Sequence, residues 1–410
     1  MRHRIAISAS LLATTLCGSL LVQEYRVDEG SADSEVSADI ERVFLWFDTL
    51  GFPRLADCKV VRVEIGQRIG EGGDAVERFY ADALLLDEDE EQFTVFRNLS
   101  QATWEKTPER RRSGLVVADL ETGATERLRQ LRSGAEDEKW FPLGVNVTER
   151  AELFVLARAC HEAGHDQLAN ELLSEILSIP DLQTGEPISL EQLQAEIAED
   201  ISHVEMWRAV VAFGDPDVSR RELLHRFRRI TTHFPQSRYA ERAGHGADIL
   251  SRMVKEDELH AAVKQKPLDQ MTIQERVAEL IVQLRDQNGH QWSQPGSCNI
   301  FADPRDGFGY PELFGESRVI GAGSPASQLV VIGEPALEQL IDAVDDDRFT
   351  RCVGYHRNFY FSHGIIRVGG CCLRIIERIK PSGREFDIEG DAALAKRAMK
   401  AWYISERPRP

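Results

Sequence analysis

The stretch "TERAELFVLARACHEAGHDQLANELLSEILSIP", residues 148–180, constrains the fold more than any other. Leu153, Leu156, Ala157 and Cys160 recur at helical spacing, and so do Leu168, Leu172, Leu173 and Ile176. Gly164 followed by Asp166 breaks the pattern between the two runs, and Pro180 ends the second. This predicts two short helices joined by a tight turn. Neither can bury its apolar stripe alone, so each needs the other and a further neighbour.

The arrangement recurs downstream. Ser189 with Gln192, Ser219 with Glu222, and Thr272 with Glu275 have the spacing of capping boxes. Leu223, Leu224, Phe227 and Ile230 form a core face closed by Phe234-Pro235, and Val277, Leu280, Ile281 and Leu284 form another. "LARACHEAGHDQLANELLSEILSIP" resembles one tetratricopeptide-type helix pair, with Leu156, Ala157, Gly164, Ala169 and Leu173 near that repeat's small and apolar positions. "ELLHRFRRITTHFPQSRYAERA" resembles the second half of another, including the Phe-Pro-x-Ser-x-Tyr-Ala tail of exported bacterial versions. The likeness covers about 150–255, and the Trp and Tyr expected in the first helix of such repeats are missing. Over about 325–380, Ile-Gly-x-Pro-Ala-Leu-x-x-Leu-Ile and a later Arg-Val-Gly resemble HEAT-type repeats, stretched by the insertion "RCVGYHRNFYFSHG". "DAALAKRAMKAWYISER" predicts a terminal helix. These resemblances imply a mainly α, helical-repeat, α-solenoid-like chain.

Before the helices, "CKVVRVEIG", "RFYADALLL" and "QFTVFRNLS" alternate or are β-rich, and "GLVVADL" adds a fourth run. The acidic "DEDEE" has the character of a hairpin tip; a calcium loop would need a Gly turn among its oxygen ligands, which is missing. Ile40 to Leu50 predicts a short helix with Val43, Phe44, Phe47 and Leu50 on one face. The expected organisation is a signal peptide over 1–22, a flexible acidic leader over 23–39 and a β-rich or α+β unit over 40–145. A tetratricopeptide-like region over 146–290, a Gly/Pro-rich loop over 291–324 and a HEAT-like region over 325–410 follow.

Arg2 and Arg4 precede an apolar Ile5–Val22 run and then polar sequence, the pattern of a secretory signal; the alternative is an uncleaved anchor that gives peripheral membrane association. The expected location is therefore periplasm, envelope or exterior. A formal net charge of -19 repels phosphate backbones and argues against nucleic acid as a partner. The seven cysteines form no C-x-x-C pair and no disulfide framework, although a Cys298–Cys352 pairing stays open. No phosphate loop, dinucleotide fingerprint or G-x-S-x-G is present, and no cofactor is expected.

Four features invite a functional reading. His161-Glu162-Ala163-Gly164-His165 matches H-E-x-x-H, in which two imidazoles on one helix face hold zinc and the Glu activates a bound water. Gly164 at the inferred turn argues against a continuous helix, and Leu168 and Glu171 stand where the longer motif wants Gly and His. Arg220, Arg221, Arg226, Arg228 and Arg229 form a basic strip, suited to an acidic partner or anionic glycan, or to solvent exposure with acidic neighbours. Trp292, Phe301, Phe308 and Tyr310 in one loop, and Tyr355, His356, Arg357, Phe359, Tyr360 and Phe361 in the insertion, are natural recognition surfaces or covers for the ends of a stack. Vicinal Cys371-Cys372 on an apolar face points to buried thiols rather than a redox switch. The expectation is a binding or scaffolding protein with a protein partner. A zinc hydrolase using His161, His165 and Glu162, or a structural envelope component, are the alternatives.

Overall fold

The computed structural model describes residues 32–69, 76–97, 99–105, 117–133, 149–181, 184–262, 266–287, 290–291, 298–301, 323–356, 362–380, 382 and 391–406. The signal-like segment lies outside them. The chain is mainly helical, with small antiparallel sheets.

Helix α1 (Ala32–Thr49) starts well before the sequence expectation, so much of the acidic leader is helical. Its buried face is Val43, Phe44 and Phe47, continued by Leu50. Five strands follow: β1 (Lys59–Ile69), β2 (Val76–Glu88), β3 (Gln92–Arg97), β4 (Ser100–Glu105) and β5 (Val117–Ala118). Their order is β4-β3-β2-β1-β5, and each adjacent pair is antiparallel. The acidic segment is the β2–β3 tip. There Asp89 Oδ1 accepts the N–H groups of Glu91 and Gln92, each at 2.7 Å, which holds the turn.

Strand β4 is absent from the sequence expectation, which carried β3 on through Leu99. The chain instead reverses there, with Arg97 paired to Ser100. Leu99 takes a left-handed backbone, φ 52°, while its side chain is buried in the core. A branched apolar residue is a poor sequence signal for such a turn, because left-handed positions favour Gly or Asn. Burial of the side chain offsets the backbone cost.

The helices are α2 (Leu120–Ser133), α3 (Glu149–Glu162), α4 (Asp166–Ser178), α5 (Leu190–Val211), α6 (Arg220–His233), α7 (Ala240–Ala262), α8 (Ile273–Gln283), α9 (Pro325–Ile332), α10 (Leu337–Asp342), α11 (Val368–Ile379) and α12 (Ala392–Glu406). The Ser189/Gln192 and Thr272/Glu275 capping boxes form in full. At α6, Ser219 accepts the Glu222 N–H, but the Glu222 carboxylate accepts from Arg226 instead of closing the box. Among the described residues, three large apolar cores follow one another along the chain, and Val61, Ala83, Leu85, Phe93 and Val95 form a small fourth on the sheet. The first joins α1, Leu84 and Phe96 of the sheet, α2, α3, α4 and the first part of α5. The second joins the end of α5 with α6, α7 and Phe349. The third is built from α8 to α12 and the segments between them.

The stretched part of the HEAT-like region is a β-hairpin, β8 (Phe349–His356) with β9 (Ser362–Arg367), set between α10 and α11. Helix α11 starts where the chain leaves β9: the N–H groups of Val368 and Gly369 donate to the carbonyls of Arg348 and Asp346 at 2.8 and 2.9 Å. A Cβ at Gly369 would sit 2.1 Å from the Val344 carbonyl oxygen, so only glycine permits this approach.

Leu99 generates a prediction. Leu99→Ala should lower stability by about 2–3 kcal/mol through lost burial. Leu99→Gly should cost no more than Leu99→Ala, reversing the usual order, because glycine adopts positive φ without strain. Urea unfolding of both variants measures the order.

Candidate functional site

The H-E-x-x-H segment straddles a corner. Helix α3 ends at Glu162, and Gly164 takes φ +82°. The His165 N–H donates to the Cys160 carbonyl at 2.8 Å, and the Gly164 N–H to that of His161 at 3.0 Å, which closes the turn. His161 lies in the last turn of α3, whereas His165 immediately precedes α4. The two imidazoles therefore do not share a face of one helix. The His161 ring stacks on Phe44 with centroids 5.0 Å apart, and its Nδ1 lies 2.8 Å from Asp166 Oδ1. Its role is to brace the corner against α1.

Glu162 is committed as well. Its carboxylate pairs with Arg158 and accepts the Leu55 N–H at 2.5 Å. The Arg158 side chain is only 4 % exposed; its Nη2 lies 2.7 Å from Asp48, and its guanidinium sits 4.9 Å from the Phe47 ring centroid. A buried guanidinium needs compensating charge, and Asp48 and Glu162 supply it. This cation ties α3 to the end of α1 and to the loop before β1. In the sequence it is a lone Arg inside the apolar run "LFVLARAC", and that run gave no hint of its partners. Cys58 and Cys160 are buried in the same core, and loss of solvation pushes both thiols up to about 12, far from thiolate character. Among the described residues, no group of three or more His, Cys, Asp and Glu is placed to hold a metal ion.

The basic strip of α6 meets acids from its surroundings. Arg221 pairs with Glu258 at 2.7 Å, Arg226 with Glu222 at 2.6 Å, and Arg229 donates to the Leu50 carbonyl and lies 3.8 Å from Glu205. Arg220 bridges Asp257 and Asp286 at 2.7 and 2.6 Å. Arg221 is the outermost of these four, with 75 % of its side chain exposed.

Of the residues singled out in the two aromatic-rich segments, Trp292, Phe308, Tyr310, Arg357, Phe359, Tyr360 and Phe361 lie outside the described residues. Tyr355 and His356 are on β8, paired through the backbone to His363 and Ser362. The ends of both segments are placed together. Short strands β6 (His290–Gln291) and β7 (Cys298–Asn299) pair with each other and pack against β8. Ile300 then enters the third core with Phe301 against it. Gln287 links the two segments further, its carbonyl accepting from the Arg351 N–H at 3.0 Å and from the Cys352 thiol at 3.2 Å. The segments are far apart in sequence, so no local pattern signalled this adjacency.

Cys352 is a free buried thiol, not half of a disulfide with Cys298. Cys371 and Cys372 are also free and fully buried, and burial raises the Cys372 thiol. Comparison with protein-family models, with curated proteins and with solved structures finds no match.

Two predictions follow from the corner. Glu162→Gln should lower unfolding stability by about 3 kcal/mol, because it strips charge from a buried pair. A carboxylate exposed for catalysis would be replaced at little cost. Gly164→Ala should cost about 1–2 kcal/mol and Gly164→Asn less, since Asn enters the left-handed region more readily. Denaturant midpoints of the purified variants give both.

Proposed function

We propose that this chain is an exported helical-repeat protein that binds or scaffolds a protein partner. The observation that carries the reading is the packing together of the described strands that flank two aromatic-rich stretches of sequence. The strands β6 and β7, which border Trp292 in sequence, pack against β8, which precedes Arg357 and pairs with β9. Recognition residues on loops held by a rigid scaffold are the common arrangement for binding proteins. Large aromatic side chains with an adjacent cation supply most of the affinity in such surfaces.

The repeat character is supported by the tight pairings of α3 with α4 and of α6 with α7, which coincide with the two tetratricopeptide-like segments. The region around α9, α10 and α11 coincides with the HEAT-like one. Export rests on Arg2, Arg4 and the Ile5–Val22 run. No described helix is long and apolar enough to cross a membrane. Peripheral association remains part of the proposal where the N-terminal segment is retained. The ion pairs around Arg221, Arg226 and Arg229 make the basic strip the weaker candidate for an anionic glycan. The engagement of Glu162 with Arg158 and Leu55 weighs against the hydrolase alternative.

The test compares the full chain with a Trp292→Ala/Tyr360→Ala variant as bait against cell-envelope extract. Recovery of a specific protein should fall by about tenfold or more in the variant, at unchanged thermal midpoint. Equal recovery by both baits moves the binding surface elsewhere. Failure of either bait to retain a specific partner favours the structural envelope component.

A further inference from the structure

The second and third cores meet across a seam of unusual composition. The third core draws every buried member from Val277 onward, and the second draws all but Phe349 from Met206 to Met253. Among the described residues, the apolar members that cross between them are Phe349, Val353 and Ile365, all on the β8–β9 hairpin. Phe349 meets Phe213 with ring centroids 5.1 Å apart, and Val353 lies 3.9 Å from the Cβ position of Gly214.

The rest of the seam is charged. Arg220, at the start of α6, reaches Asp257 on α7 and Asp286 in the turn after α8. Arg285 lies 3.0 Å from Asp257 and 3.4 Å from Glu256. Arg348, just before β8, lies 2.9 Å from Glu256 and is gripped by Asp346. Arg351 donates to the carbonyls of Asp215 and Val218 at 3.2 and 2.9 Å, and Arg252 meets Asp347 at 2.6 Å. Both signs are present in comparable number, so the cluster is internally neutralised and leaves no net field for a free anion. Arg285 and Arg351 are 5 % and 8 % exposed. Desolvation of buried charges cancels much of their mutual attraction, so such arrays define orientation more than they add cohesion. An apolar seam would have fused the two bodies; a polar one resembles interfaces between parts that separate.

We propose that this charge array is the latch of a hinge: the part from α8 to α12 undocks from α5–α7 as an intact body. Opening withdraws Phe349, Val353 and Ile365 from the edge of the second core and leaves the third core intact. The third core then moves as a unit, together with the segments that border the aromatic candidates. The inference does not depend on the binding role, because it concerns packing within the chain.

The test uses hydrogen exchange by mass spectrometry on the full chain and on a Glu256→Gln/Asp257→Asn variant, with small-angle scattering alongside. The backbone amides of the Asp215–Val218 turn, which the Arg351 side chain holds across the seam, should exchange about tenfold or more faster in the variant, because Arg285 is left buried without either carboxylate partner. Amides of α6 and α11 should keep their protection, and the radius of gyration should rise. The wild-type chain between low and high salt should show the same regional pattern more weakly, which serves if the variant fails to fold. Loss of protection in α6 and α11 together with the seam means a single cooperative body and overturns the proposal. Unchanged exchange at the seam, in both the variant and the salt series, overturns it equally.

Discussion

Burying the Arg158 guanidinium obliges the chain to bring negative charge to it from two directions. Asp48 comes from the end of α1 and Glu162 from the next turn of α3, while Phe47 covers the cation. The Leu55 amide then fastens the following loop to the same carboxylate. A charge left without these partners would cost several kcal/mol. The position of α1 against α3, and so the closure of the first core, is set by electrostatics as much as by the Phe44, Phe47 and Phe154 contacts. The corner at Gly164 serves the same end, because it lets α4 fold back over a helix already pinned at its C-terminus.

The same logic recurs farther along the chain with a different outcome. At Arg158 the pairs sit inside one core and add to a dense aromatic cluster. Around Glu256 and Asp257 they sit between two cores and stand in for apolar contact. Ion pairs thus cement in one place and register in the other, and the difference lies in what surrounds them. The β8–β9 hairpin is the exception at the second place, since it carries apolar residues of the C-terminal part into the neighbouring core.

Much of the helical architecture was legible in the sequence. The stripes led by Leu153, Leu172, Leu223 and Val277 are buried as helical spacing implies, and the Ser189 and Thr272 caps form. Gly164 turns the chain where the break in period placed a turn. What stayed hidden depends on long-range or compensated effects. The helical start at Ala32 lacks an apolar periodic signal. The Leu99 turn is held by burial against its backbone preference. The insertion after α10 is rich in residues that suit strand, loop or interface alike, and only pairing across it makes a hairpin. Of the candidate site, the residues were visible, but their company was not. Glu162 was recognisable as a carboxylate between two histidines, and nothing nearby in sequence named Arg158, Asp48 and Leu55 as its partners.

The hairpin set between α10 and α11 has a consequence for variation. Both of its ends leave the third core at neighbouring points, and its base is fixed by the Phe349–Arg367 pairing and by the close approach at Gly369. Closure entropy grows slowly with loop length, so residues added or removed beyond His356 cost little. The fold therefore contains a port at which new sequence can be spliced without repacking the helices beneath, a place for related chains to diversify while the body stays constant.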